Sequence, residues 1–154
     1  RIKAGDALLF DFGARKHGFA ADITRTFFVQ DVPDEGREVY DTVLRANNVG
    51  FEVCRPGVTA HDIDDAVTSV LEASPFADRI RTKTGHGLGR DVHEAPYIMR
   101  GNNQIILPGM VWTNEPGLYE LDKFGVRIED DVLVTGDGCR SLTRFPKELT
   151  IIGR

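Results

Sequence analysis

The sequence predicts an α+β domain built on an antiparallel sheet. Three observations carry that prediction. Strand-like runs cluster in the first 30 and the last 45 or so residues, a central stretch follows helical spacing, and glycine-containing turn signals separate neighbouring strands. The 154 residues suffice for one domain with a sizeable core, and 41% hydrophobic with 28% charged residues fits an ordinary globular chain.

The elements follow in order. "ALLFDFG" (7–13) is a short apolar run closed by glycine and reads as a buried strand. "FAADITRTFFV" (19–29), rich in β-branched and aromatic residues, reads as its partner. "ARKHG" between them reads as a hairpin turn, with Gly18 free to take positive φ. From Asp34 to Cys54 the period changes. Val39, Val43, Gly50 and Cys54, with Tyr40, Leu44, Asn47 and Phe51 beside them, line one helical face. Pro56-Gly57 ends that helix. Thr59 caps a second, over 60–73, with Ile63, Ala66, Val67, Val70 and Leu71 inward. Asp62 stands where Glu or Gln would complete a capping box, and its charge suits the positive helix end. Residues 84–96, "TGHGLGRDVHEAP", read as a glycine-rich loop. Strands return over 110–119 and 125–135, with a short piece near 139–143, separated by "DKFG" and "GDG".

Several function classes are excluded early. A net charge of −5 gives no electrostatic case for nucleic acid or anionic lipid. No apolar run approaches the roughly 20 residues of a membrane span. Cys54 and Cys139 make no disulfide scaffold and read as plain thiols in a reducing compartment, so the expected location is the cytoplasm.

Four carboxylates carry the chemistry. A turn centred between Lys16 and His17 sets Asp11 directly across from Asp22, with Cβ atoms about 5 Å apart. A second hairpin centred on Asp122 does the same for Glu115 and Glu129. A one-residue slip in either would send one carboxylate to the opposite face. Asp130 and Asp131 read as solvated. Asp11 lies within "LLFDF", and Glu115 lies near Trp112 and before Pro116. Carboxylates in such apolar runs must be paired, protonated or metal-bound, and the lysines and arginines are too scattered to neutralise four. Two divalent cations balance four carboxylates, and one neutral imidazole completes the set. His86, flanked by Gly85, Gly87 and Gly89, is the candidate. Oxygen-rich ligation with one nitrogen suits Mn, Co, Fe or Zn, and a metal pair activates water for hydrolysis. His93, past a glycine-rich bend, is placed to donate to substrate or to the oxyanion of a tetrahedral intermediate. His17 and His61 read as a turn residue and a helix-start residue.

"DFGARKHGFAADITRTF", "TGHGLGRDVHEAP", "NEPGLY" and "GVRIEDD" resemble the successive signatures of the pita-bread metallopeptidases, which include methionine aminopeptidase, aminopeptidase P and prolidase. The resemblance implies a pita-bread fold with a curved antiparallel sheet and helices on one side. It implies that Asp11, Asp22, His86, Glu115 and Glu129 hold two divalent metals, manganese first among them, with Asp22 and Glu129 bridging. Asp11 would chelate one metal, and His86 and Glu115 would serve the other. A metal-bridged water would be the nucleophile, Glu115 would shuttle its proton, and His93 would hold the substrate. Arg127, two before Glu129, points to the Xaa-Pro branch, since methionine aminopeptidases lack an arginine there. Arg127 would orient Glu129 or Asp22, or bind a substrate carboxylate.

The implied activity is hydrolysis of the Xaa-Pro bond by a dipeptidase (prolidase). Aminopeptidase P and methionine aminopeptidase are the alternatives, and a non-enzymatic pita-bread binding module stands last. Partners would be small peptides with proline second, not nucleic acid or membrane. Many Xaa-Pro relatives also carry a histidine where Thr82 stands here. The family's catalytic domain has further chain before its first ligand strand. By that resemblance, residues 1–154 are the C-terminal, larger part of a catalytic domain that lacks an N-terminal segment. An uncovered sheet edge and apolar face are expected to pair with that segment or to form a homodimer, and the isolated piece is expected to turn over weakly.

Overall fold

The computed structural model describes residues 1–153. The chain opens with a long hairpin of β1 (Ala7–Lys16) and β2 (Phe19–Val29). Its turn is tighter than expected. His17 and Gly18 alone make the connection, both at positive φ (52° and 84°), as a type I′ loop requires. The strands therefore extend through Ala14–Lys16, and Asp11 pairs with Thr24 while Gly13 pairs with Asp22. The expected Asp11–Asp22 register is off by two residues. Two is the pleat period, so both aspartates stay on one face as diagonal neighbours.

β1 is a strand, but not a buried one. It forms one edge of a three-stranded sheet ordered β1-β2-β10, where β10 (Thr150–Ile152) runs parallel to β2. Phe10 and Phe12 are 48% and 61% exposed, and with Phe27 and Phe145 they line an open apolar groove on the face away from Asp11.

Two helices follow, α1 (Asp34–Val53) and α2 (Ala60–Glu72). Asp34 and Glu35 occupy the first turn of α1, where the helix dipole favours anions. Its buried stripe includes Val39, Tyr40, Val43, Asn47 and Gly50. The α2 cap is complete. Thr59 accepts from the Asp62 N–H while Asp62 accepts from the Thr59 N–H, so the shorter aspartate closes the box. Ile63, Val67 and Leu71 bury against α1, each worth about 1.5–3 kcal/mol. A 3₁₀ turn (Ala77–Arg79) leads away.

The stretch read as a glycine-rich loop contains two strands, β3 (Gly85–Gly87) and β4 (Glu94–Ile98). They join β5 (Val111–Asn114), β8 (Asp130–Val134) and β9 (Cys139–Ser141) in a sheet ordered β4-β3-β5-β8-β9. Glycine is required in β3 because a Cβ on Gly85 would sit 1.6 Å from the Thr113 carbonyl oxygen. β6 (Gly117–Glu120) and β7 (Phe124–Arg127) extend the second hairpin beyond β5 and β8. This hairpin has the expected register. Asn114 pairs with Asp130 and Gly117 with Arg127, which sets Glu115 across from Glu129, and Asp122 takes positive φ in the turn. Each anticipated long strand is divided in two at those glutamates. The α+β prediction holds. Among the described residues, no helix is long and apolar enough to cross a membrane.

Candidate metal centre

Two hairpins, β3 and the loop after it bring the sequence-predicted residues to one cleft of about 670 Å³, lined by Asp11, Asp22, His86, His93, Glu115, Arg127 and Glu129 among others. The inner set is tight. One ligand atom each from Asp22, His86 and Glu129 lies within 4.8 Å of the other two. Asp11 and Glu115 flank that trio. Glu115 Oε1 is 3.1 Å from His86 Nε2, and Asp11 makes a close ion pair with Arg127.

Local hydrogen bonds hold each group. The Thr24 hydroxyl donates to Glu129 Oε2 at 2.5 Å and accepts from Arg127 Nε at 3.0 Å. Arg127 thus grips Asp11 directly and Glu129 through Thr24, while its Nη1 donates to the Tyr119 hydroxyl. The Thr113 hydroxyl donates to Glu115 Oε1 at 2.9 Å and accepts from the His86 backbone N–H at 3.1 Å. The Asp22 backbone N–H donates to Asp131 Oδ2 at 3.2 Å. The His93 ring packs on the His86 ring with centroids 4.1 Å apart, and His93 is exposed to the cleft.

The electrostatics ask for cations. Glu129 is 2% exposed, and burial together with the Glu115 charge pushes its carboxyl up to about 8. Burial and Asp11 raise Asp22 as well. Among the described residues, no lysine or arginine pairs with the carboxylate of Asp22, Glu115 or Glu129. Burial opposes charge on Glu115, but its bonds from His86 and Thr113 outweigh burial and pull it below the usual range. The same contact raises His86 against the pull of burial.

His86 Nδ1 lies 3.1 Å from the Gly87 carbonyl oxygen, which only accepts, so Nδ1 carries a hydrogen. Nε2 faces acidic oxygens, so it either carries a second proton, as its bond to Glu115 requires, or gives its lone pair to a cation. A backbone carbonyl fixing one ring nitrogen while the other points at carboxylates is the usual setting of a metal-ligating histidine. The donor set fits divalent metal.

The comparison with known families decides the assignment, because the description "metallopeptidase family M24" matches residues 1–136. The chain belongs to metallopeptidase family M24. It is 38% identical over 149 residues to the Xaa-Pro dipeptidase of Pyrococcus furiosus, covering 97% of this chain and 43% of that relative. The prolidase structure from Pyrococcus horikoshii OT3 superposes with TM-score 0.94 at 36% identity, over 97% of this chain and 43% of that one. The X-Pro aminopeptidase structure from Thermotoga maritima superposes equally, TM-score 0.94 at 34% identity, over 98% and 43%. The M24 chain therefore spans less than half the length of these relatives, and it shares the pita-bread fold of the Xaa-Pro branch.

Some readings of this M24 sequence need correction. Asp11 was argued to be buried, but its side chain is 49% exposed because β1 is uncovered, and Arg127 rather than an apolar wall answers its charge. Asp130 and Asp131 are buried, not solvated. Asp130 pairs with Arg25 at 2.6 Å, both nearly inaccessible. Arg25 spends its remaining donors on the carbonyls of Thr24, Glu129, Phe145 and Pro146. Burial pushes Asp131 up to about 6, and its Oδ1 has no hydrogen-bond partner. Thr24, Thr113 and Tyr119 were missed. The pleat period alone would have found the threonines, since each stands two residues from a candidate ligand on the same strand face.

Proposed function

We propose that this chain supplies the two-metal hydrolytic site of an Xaa-Pro dipeptidase. Asp11, Asp22, His86, Glu115 and Glu129 would hold two divalent ions, manganese first among Mn, Zn, Co and Fe. The observation that carries this reading is the meeting of Asp22, His86 and Glu129 within 4.8 Å, from strands more than 40 residues apart, inside a cleft that also holds Asp11 and Glu115.

Two divalent cations there would supply Lewis acidity to a peptide carbonyl and lower the pKa of water. The remaining work belongs to the chain. Glu115, steadied by Thr113, takes the proton of the attacking water and returns it to the leaving nitrogen of proline. His93, exposed at the cleft beside His86, donates to the substrate carbonyl oxygen as charge builds there. Arg127 holds Asp11 and, through Thr24, Glu129. The like superposition on an X-Pro aminopeptidase keeps longer Xaa-Pro peptides as the second reading.

We also propose that residues 1–154 are the C-terminal part of a catalytic domain and that further chain of the same protein covers the outer edge of β1. The support is the unpaired edge, the exposed Phe10 and Phe12, and the 43% coverage of relatives.

The test is metal analysis of the whole protein followed by assay with Mn(II) on Ala-Pro, Ala-Pro-Ala and Met-Gly peptides. The proposal expects bound divalent metal and proline release from Ala-Pro. Preference for the tripeptide would move the assignment to aminopeptidase P. Metal-independent turnover would end it.

A further inference from the structure

The second hairpin breaks where its two glutamates stand. Pairing of β5 with β8 ends at Asn114 and Asp130 and resumes in β6 and β7 at Gly117 and Arg127. Between these points only a long bond from the Ile128 N–H to the Pro116 carbonyl, 3.5 Å, crosses the hairpin, and the two glutamates turn to other neighbours. The Glu115 N–H donates to the Thr84 carbonyl at 2.8 Å, and the Glu129 N–H donates to the Thr24 carbonyl at 3.1 Å. The parting aims both carboxylates into the cleft, so something must set how far it goes.

One side chain spans it. Asn47, wholly buried on α1, donates from a single Nδ2 to the carbonyl of Asn114 at 3.0 Å and to that of Ile128 at 3.3 Å. These are the two residues immediately before Glu115 and Glu129. The amide cannot be reversed, because Lys147 Nζ donates to its Oδ1 at 2.7 Å. Asn114 answers with Nδ2 donating to the Asn47 carbonyl at 2.7 Å, across a helix face left open by Gly50. A hydroxyl has one hydrogen and an aliphatic side chain none. A primary amide offers two from one nitrogen, which is what two converging carbonyls need.

We infer that Asn47 is a positioning residue for the metal centre: by clamping the carbonyls that precede Glu115 and Glu129 it sets the spacing of those two carboxylates. Asn47 touches neither substrate nor metal. The inference rests on the metal-centre reading above.

The experiment compares Asn47→Ala with Val67→Ala, a buried α2 change away from the cleft that serves as a control for general destabilisation. Mn(II) affinity is measured by calorimetric titration on the whole protein, with the Mn(II) electron paramagnetic resonance spectrum as a geometric readout. Asn47→Ala is expected to weaken Mn(II) binding about 10–100-fold, the range for groups that orient metal ligands, and to alter the spectrum. Val67→Ala is expected to lower the melting temperature and leave both unchanged. Should Asn47→Ala fail to fold, Lys147→Met, which frees the amide to rotate and also removes the 3.7 Å pairing with Asp130, is expected to show a smaller loss in the same direction. Affinity in the Asn47 or Lys147 variant equal to that of Val67→Ala overturns the inference alone. A wild-type protein that binds none of Mn(II), Zn(II), Co(II) and Fe(II) overturns the metal-centre reading and this inference with it.

Discussion

The β1–β2 hairpin carries Asp11 and Asp22 on an edge strand open to solvent and its neighbour, whereas the β5–β8 hairpin carries Glu115 and Glu129 on strands buried against α1 and the rest of their sheet. Phe12 in the first is 61% exposed, and Trp112 in the second is fully buried. Asp11 is held by one arginine at the surface, while Glu129 sits deep enough for its carboxyl to rise to about 8. The buried hairpin is locked by packing and by the α1 amide. The open one depends on cross-hairpin bonds, from Arg127 to Asp11 and from the Asp22 backbone N–H to Asp131. A site assembled this way has one preorganised half and one half whose placement is borrowed from the other.

Several experiments press on that contrast. The largest effect belongs to the buried half. Glu115→Gln is expected to lower kcat by about 10²–10⁴-fold at saturating metal, as befits loss of the proton carrier; unchanged kcat in a steady-state assay would remove Glu115 from that role. Trp112→Ala is expected to cost about 3–5 kcal/mol in urea unfolding, the range for emptying a large aromatic site. A loss below 1 kcal/mol would show that the second hairpin is not the rigid half.

Thr24 joins the halves. Thr24→Val keeps the shape but loses the bond to Glu129 and the acceptor for Arg127. Metal affinity is expected to fall about 10–100-fold, read by competition with a chelating dye.

A smaller effect appears with pH beneath the buried half. Tyr40 on α1 is pushed up to about 12, chiefly by burial. A raised acid pKa means that the folded state keeps its proton longer than the unfolded chain does. Stability from this group is therefore intact below about pH 10, the unfolded value, and is lost as pH rises toward 12. Phenolate absorbance from Tyr40 should grow only as the protein unfolds, and a normal titration in the native protein would contradict the burial argument. The smallest effect belongs to the open half. Phe12→Ser is expected to stay within about 0.5 kcal/mol for residues 1–154 alone. A larger loss in the whole protein than in this chain would show that the aromatic face is covered there.

Much of the centre was legible in the chain itself. The hairpin around Asp122 could be registered from sequence because its turn is short and offers one centre, so Glu115 and Glu129 were matched correctly. The first hairpin was misregistered because "ARKHG" offers several turn centres, and only the αL conformations of His17 and Gly18 choose one. The glycines around His86 announced close backbone approach but not the strand that does the approaching. Asp130 and Asp131 look solvated because nothing local reveals that Arg25 and Asp22, over a hundred residues earlier, lie beside Asp130 and Asp131 respectively.

By itself the sequence determined the two helices, the two hairpins with the parity of their facing carboxylates, and the residue chemistry that marks the metal centre, because pleat and helix periods are local properties of the backbone. Burial, the two-residue register shift, the break at the glutamates and the Asn47 clasp were decided only in three dimensions. Each depends on which distant segment fills the space beside a residue, and local periodicity carries no record of that.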